Sequence, residues 1–189
     1  MTQTHVTTTN GIDIGALTET IQAIKDDGRL GEFTFRARST WESGTRNTGE
    51  IGTFIHAGKE DESRAGPFRL QGDEPPVLLG TNEGPNAVEL LLQGLAFCYA
   101  VGYAANAAAQ GIEITRMEYE VEGDFDVRQF LGLPGTRPGF SAIRVVGRIS
   151  SPNATREQLE RLCQYVQDTS PVRDSLANPV PVDTTLEVV

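Results

Sequence analysis

Cysteine, histidine and basic charge are scarce in this chain, and each scarcity closes a class of functions. Two cysteines in 189 residues make no disulfide framework. His5 and His56 are the two histidines, and with Cys98 and Cys163 they show no ligand spacing, so no metal site is expected. The chain carries 16 Lys and Arg against 26 Asp and Glu, a net charge of −10. Nucleic acid and anionic membrane surfaces both require a basic footprint, so neither is expected as a partner. The glycines of Arg128–Gly139 are irregularly spaced and lead into a strand rather than a helix. They do not make a dinucleotide loop, and no cofactor is expected. The opening Met1–Asn10 lacks the basic start and apolar core of a secretory signal. A reducing, cytoplasmic setting is the expectation, and the Asn153-Ala-Thr155 sequon then carries no meaning.

What the chain does have is periodicity. Ile14, Leu17, Ile21 and Ile24 repeat at helical steps, predicting an amphipathic helix of about four turns with Gly28 to end it. Glu32–Glu42 alternates, with Phe33, Phe35, Ala37, Ser39 and Trp41 facing one way, which predicts a half-buried strand. Turn chemistry fills Glu42–Gly49, and Ile51, Thr53 and Ile55 resume a strand, so a hairpin with Arg46 at its tip is expected. A short strand is expected near Pro67–Gln71, and alternating strands at Ile114–Gly123 and Ser141–Ser150. Thr155 and Gln158 form a capping box that opens a helix with Leu159, Leu162, Cys163 and Val166 on its core face. Ser170-Pro171 closes that helix, and Leu186–Val189 offers a last strand. The order of elements is α+β. Residues 1–10 read as a flexible leader and 11–189 as a single domain, with 11–29 a helical extension of it.

The longest apolar stretch is Glu89–Gln110, ELLLQGLAFCYAVGYAANAAAQ, in which Ala and Leu dominate, so a helix is predicted. Asn86 stands where it can cap the first amides. Gly94, Cys98 and Gly102 recur every four residues and leave a shallow groove for another backbone. Leu92, Phe97, Tyr99 and Tyr103 make the helix apolar nearly all round, so it should be buried. Its length would span a bilayer, but Gln93 and Asn106 interrupt it and no Lys or Arg flanks it closely, so no membrane span is expected.

Three stretches together carry a resemblance. Gly80–Cys98 (GTNEGPNAVELLLQGLAFC) looks like the loop and helix around a peroxidatic cysteine. Leu159–Leu176 (LERLCQYVQDTSPVRDSL) resembles a second helix that ends in a Cys-Pro-Val step. Trp41–Gly49 (WESGTRNTG) resembles a hairpin that supplies an arginine. Over roughly residues 30–189 the chain thus resembles the OsmC/Ohr family of thiol-dependent peroxidases of organic hydroperoxides. The resemblance implies antiparallel sheets wrapped around two central helices in an intertwined homodimer, with sites shared between subunits and the N-terminal helix as an addition. It implies Cys98 as the attacking thiol, Arg46 as its activating cation and Glu89 as the acid that holds Arg46.

The residues fit that chemistry in part. Only a thiolate attacks a peroxide oxygen, and burial favours the neutral thiol, so a neighbouring cation is required. Arg46 is permanently charged and donates in a fork; Arg36 and Arg38 are the next candidates. Glu89 precedes Cys98 by nine residues, half a turn away on an ideal helix, so Glu83 in the preceding loop is the alternative. Ser170 stands where the family has its second cysteine, and serine cannot form the resolving disulfide. Cys163 lies two turns earlier, roughly 10 Å away, beyond the ~7 Å that a disulfide allows. An external thiol reductant is therefore implied. Leu91, Leu95, Phe97 and Tyr99 could line a pocket for a hydrophobic hydroperoxide or another apolar small molecule. The alternative is a non-catalytic stress or binding protein that keeps the fold and an apolar pocket.

Overall fold

The structure, a computed structural model, describes residues 8–189. The leader expectation falls mostly on residues 1–7, outside the described residues. The chain divides into two compact units, one of residues 13–91 and one of residues 8–12 with 92–189.

Strands β1 (Thr8–Thr9) and β2 (Ile12–Asp13) form a small hairpin. Asn10 and Gly11 turn it, both at positive φ, which these two residue types tolerate. Asn10 also donates to the Ile112 carbonyl at 2.9 Å and accepts from the Ile114 amide at 2.8 Å, fixing the hairpin within its own unit. Asp13 then caps α1 (Ile14–Asp26) by accepting from the Ala16 amide. The helix forms as its periodicity predicts, yet none of its residues is fully buried.

The rest of the first unit is two three-stranded antiparallel sheets. One has the order β3 (Phe33–Thr34), β6 (Phe54–His56), β7 (Lys59–Asp61). The other has the order β4 (Arg38–Ser43), β5 (Arg46–Ile51), β8 (Phe68–Gly72). The single strand expected over Glu32–Glu42 is therefore broken at residues 35–37, where the chain leaves one sheet for the other. Phe33 in β3 and Phe35 in the break stack at 5.5 Å, so the apolar side chains stay together into the break while the pairing partner changes beyond it. The strand expected through Ile55 is likewise interrupted at residues 52–53. The half-burial expected of β4 is not met either: all six residues are exposed, Trp41 by 67%. A tight turn at Ala57 and Gly58, both at positive φ, joins β6 to β7.

Helix α2 (Ala87–Ala109) contributes its first turn to this unit and the rest to the other. The second unit continues with β9 (Arg116–Asp124), β10 (Ala142–Ser150), α3 (Arg156–Thr169) and α4 (Pro171–Ala177). β9 and β10 pair antiparallel over their full lengths. Met117, Tyr119 and Val121 with Ile143, Val145 and Ile149 make one apolar face, against which Leu95, Tyr99, Tyr103, Leu162 and Val166 pack. The opposite face is a charged ladder in which Arg148 meets Glu120 at 2.9 Å and Arg144 meets Asp124 at 2.6 Å. Gly147 lies opposite Tyr119, and a Cβ there would come 2.8 Å from the ring, so the bare backbone makes room for it. Thr155 and Gln158 form the reciprocal capping box at the start of α3.

Two expectations fail here. Helix α2 is not buried all round: Leu95, Tyr99, Tyr103, Ala107 and Ala108 are buried, while Phe97 and Val101 are 64% and 70% exposed. One apolar stripe serves the core of its own unit, and Phe97 and Val101 lie outside it. The C-terminal Leu186–Val189 forms no strand, and Leu186 and Val188 are exposed. This distinction is measurable by thermal unfolding. Leu162→Ala should destabilise the protein by about 2–5 kcal/mol through a buried cavity, whereas Leu186→Ala should leave the midpoint unchanged.

Candidate active site

In the first unit the site is built from the β4–β5 hairpin and the loop before α2. Gly44 and Thr45 make the turn, with Gly44 at φ 58° and its carbonyl accepting from the Trp41 indole at 2.9 Å. Arg46 is therefore the first residue of β5, opposite Ser43, rather than the tip itself. Its guanidinium donates to Glu83 Oε2 at 3.3 Å and to Ser43 Oγ at 3.1 Å. Glu83, the loop alternative from the sequence, is thus the acid beside Arg46. Glu89 is engaged elsewhere: Oε2 accepts the Asn86 amide and its own amide donates to Asn86 Oδ1, both at 2.9 Å, closing a capping box on α2. Arg36 is held by Glu60, and Arg38 opens β4.

The loop can reach Arg46 because two of its glycines lie on backbone. A Cβ on Gly84 would sit 2.4 Å from the Gln71 carbonyl oxygen, and one on Gly80 would clash with Glu74. Under the pair lies Asp73, 3% exposed and absent from the sequence reading. It accepts from Thr45 Oγ1 at 2.6 Å, Thr81 Oγ1 at 2.7 Å, the Thr81 amide at 2.9 Å and the Glu83 amide at 3.2 Å. The Thr45 and then the Thr81 hydroxyl bonds hold its carboxyl well below the usual carboxylate range. Its one sequence signal is an acid directly after a strand, ahead of a Gly- and Pro-containing loop that carries Thr81. A groove of about 450 Å³ opens beside it, lined by Ala37, Ile51, Leu70 and Leu90 and by the polar Arg38 and Glu50.

In the second unit Cys98 lies half-buried on α2, one residue from the buried Tyr99. Its Sγ is 3.1 Å from Ser170 Oγ. Ser170 is 5% exposed and ends α3 while capping α4, where Oγ accepts the Arg173 amide at 3.1 Å. A hydroxyl that accepts from an amide still has one hydrogen to give, and that hydrogen can point at a sulfur anion. Cys163 sits on the core side of α3, where its sulfur accepts from Gln167 at 3.4 Å. It borders a cavity of about 70 Å³ lined by Tyr99, Tyr103 and Tyr119. Burial pushes the Tyr103 hydroxyl up to about 12, so it stays a neutral donor to the Leu159 carbonyl at 2.8 Å. No cluster able to hold a metal ion occurs among the described residues.

The stretch that contains both Cys98 and Ser170 is also the one that finds relatives. The sequence model of the OsmC family, OsmC-like protein, matches residues 80–185. The chain belongs to the OsmC family. No curated protein matches it. Among solved structures, an OsmC-like protein from Mycoplasma pneumoniae is 20% identical with a TM-score of 0.57, covering 77% of this chain and 89% of its own. An organic hydroperoxide resistance protein OsmC from Legionella pneumophila is 17% identical with a TM-score of 0.52, covering 76% of this chain and 88% of its own. One from Elizabethkingia anophelis is 15% identical with a TM-score of 0.54, covering 77% and 89%. At these identities the likeness establishes the α+β fold with its antiparallel sheets.

The buried carboxylate makes a pH prediction. Its folded value lies below the ordinary 3.8, so its stabilising effect is present above 3.8 and is lost as pH falls through the lowered folded value. Asp73→Asn should therefore lower the melting midpoint at pH 7, with the gap to the parent closing as pH drops below 3.8. A gap of constant size from pH 7 to pH 2 would show that the charge is not what matters.

Proposed function

We propose that this OsmC-family chain is a thiol-dependent peroxidase of organic or lipid-derived hydroperoxides, working through Cys98 as a homodimer. The observation that carries the reading is the 3.1 Å contact between Cys98 Sγ and Ser170 Oγ. It joins the two positions at which the family pattern has its paired cysteines. The organic hydroperoxide resistance proteins from Legionella pneumophila and Elizabethkingia anophelis, which share the fold, support the choice of substrate class.

The chemistry balances without a cofactor. The Cys98 thiolate attacks the terminal peroxide oxygen; an S–O bond forms, the O–O bond breaks, and the alkoxide leaves as an alcohol after taking a proton. The sulfur is oxidised by two electrons to a sulfenic acid. One external thiol then displaces water to form a mixed disulfide, and a second releases the Cys98 thiol and carries away a disulfide. Ser170 gives its hydroxyl hydrogen to the sulfur but cannot replace the external thiol. Arg46, with Glu83 beside it, supplies the cation that favours the thiolate and holds the peroxide oxygens. Glu89, the other acid expected at Arg46, acts instead through the start of α2.

A second copy of the chain, rather than lipid, covers the open face of α2, although the helix is long and apolar enough by length and composition to cross a membrane. The exposed Leu91, Phe97 and Val101 support this, as does Gly94, over which a Cβ would meet nothing within 4 Å. The sites are then shared between subunits, with α1 an addition to the family core. The protein is cytoplasmic, where thiol reductants are abundant.

In an assay with cumene hydroperoxide and dithiothreitol, Cys98→Ser should abolish turnover and Cys163→Ser should leave it within about twofold. Equal losses would overturn the assignment of the sulfur. Ser170→Cys should close an internal disulfide with Cys98 after one equivalent of peroxide, seen as a two-proton mass loss. Retention of all three thiols would show that the two positions do not meet in solution. The serine also favours a second reading, a non-catalytic binding protein whose groove beside Asp73 takes an apolar ligand. Absence of peroxide consumption with any small thiol, together with saturable binding of an apolar fluorophore, would decide for it.

A further inference from the structure

Arg46 and Glu83 do not hold themselves in place. Their side chains are 41% and 52% exposed and 3.3 Å apart. An ion pair that exposed is screened by solvent and is too weak to fix two long side chains in one geometry. The backbone beside each is fixed instead by a single buried group. Asp73 Oδ1 takes the hydroxyl of Thr45, the residue directly before Arg46. Oδ2 takes the amide of Glu83 itself, together with the amide and hydroxyl of Thr81. Three segments, the β4–β5 turn, the end of β8 and the 81–83 loop, thus converge on one carboxylate. The close approach of Gly84 to the Gln71 carbonyl lays the loop down within reach.

Four donors occupy Asp73 and solvent scarcely reaches it, so it is placed to act on neighbouring residues rather than on substrate. We propose that Asp73 is the positioning residue of the Arg46–Glu83 pair, with Thr45 and Thr81 as its two hydroxyl arms. The inference rests on the reading of Arg46 as the activating cation and adds what sets its position. A charge-assisted bond from Thr45 is among the stronger single hydrogen bonds available, and one end of it lies next to the arginine. Losing it frees the turn without emptying any core space.

The test uses Thr45, because removal of Asp73 also destabilises the fold. Steady-state peroxidase kinetics with cumene hydroperoxide and dithiothreitol are measured for Thr45→Val, Thr45→Ser, Arg46→Ala and the Thr45→Val/Arg46→Ala double variant. Thr45→Val should lower kcat/KM on the order of tenfold, since small misplacements of a catalytic group cost one to two decades. Thr45→Ser, which keeps the hydroxyl, should stay within about twofold. In the Arg46→Ala background the Thr45→Val change should have no further effect, because its route of action is gone. Full activity in Thr45→Val beside an inactive Arg46→Ala would overturn the positioning role and leave the arginine reading intact. Full activity in Arg46→Ala would sink the arginine reading itself, and the positioning role with it. Equal losses from Thr45→Val in both backgrounds would show a merely structural effect and overturn the proposal. A readout that needs no turnover is amide exchange in Asp73→Asn, which should speed up at Glu83 at least tenfold more than at the buried amides of α3; an equal acceleration at both, or none, would overturn the proposal.

Discussion

One helix carries more apolar surface than the described residues bury, and its covered stripe is what the second unit is built on. The buried stripe of α2, Leu95, Tyr99, Tyr103 and Ala107, meets the apolar face of β9 and β10 and the core side of α3. That contact holds the second unit together and places Cys98 one residue off the stripe, half-buried against the start of α4. The sulfur meets Ser170 Oγ there at 3.1 Å.

The first unit is organised by a different force. Its two small sheets bury little, and its aromatic residues, Phe33, Phe35 and Trp41, remain exposed in the single chain. What order it has around Arg46 comes from polar convergence on Asp73. An ionised group buried this deeply is tolerated only because donors surround it. The same saturation makes it a rigid anchor. The two units thus illustrate two kinds of local order, apolar packing beside the thiol and a satisfied buried charge beside the turn that leads into Arg46.

Elements governed by local rules were legible in the sequence. The Ile14–Leu17–Ile21–Ile24 periodicity gives α1, the Thr155–Gln158 box gives the start of α3, and alternation locates β9 and β10 within two residues. Alternation could not show where the chain changes sheets at residues 35–37, because the side-chain pattern continues while the hydrogen-bond partner does not. Nor could apolarity alone show that only one stripe of α2 is covered. Ser170 was visible as a departure from the family pattern, but its contact with Cys98 spans 72 residues of sequence. Asp73 was missed because its meaning lies in convergence: none of Thr45, Thr81 and Glu83 signals it alone. Of the two acids left open, Glu83 rather than Glu89 lies beside Arg46, since Glu89 is spent at the helix start.

The serine at position 170 changes the kinetic order of the proposed cycle. With a second sulfur at that distance, an oxidised Cys98 would be closed off by an intramolecular step whose rate ignores the surroundings. With an oxygen there, its lifetime is set by a bimolecular encounter and scales inversely with the concentration of external thiol. During that interval a second hydroperoxide competes for the same sulfur and drives it to the sulfinic state, which thiols do not reverse. In the proposed cycle the ratio of ambient thiol to ambient peroxide would therefore decide whether the centre recycles or is silenced, and a single hydroxyl would couple the survival of the site to the redox balance around it.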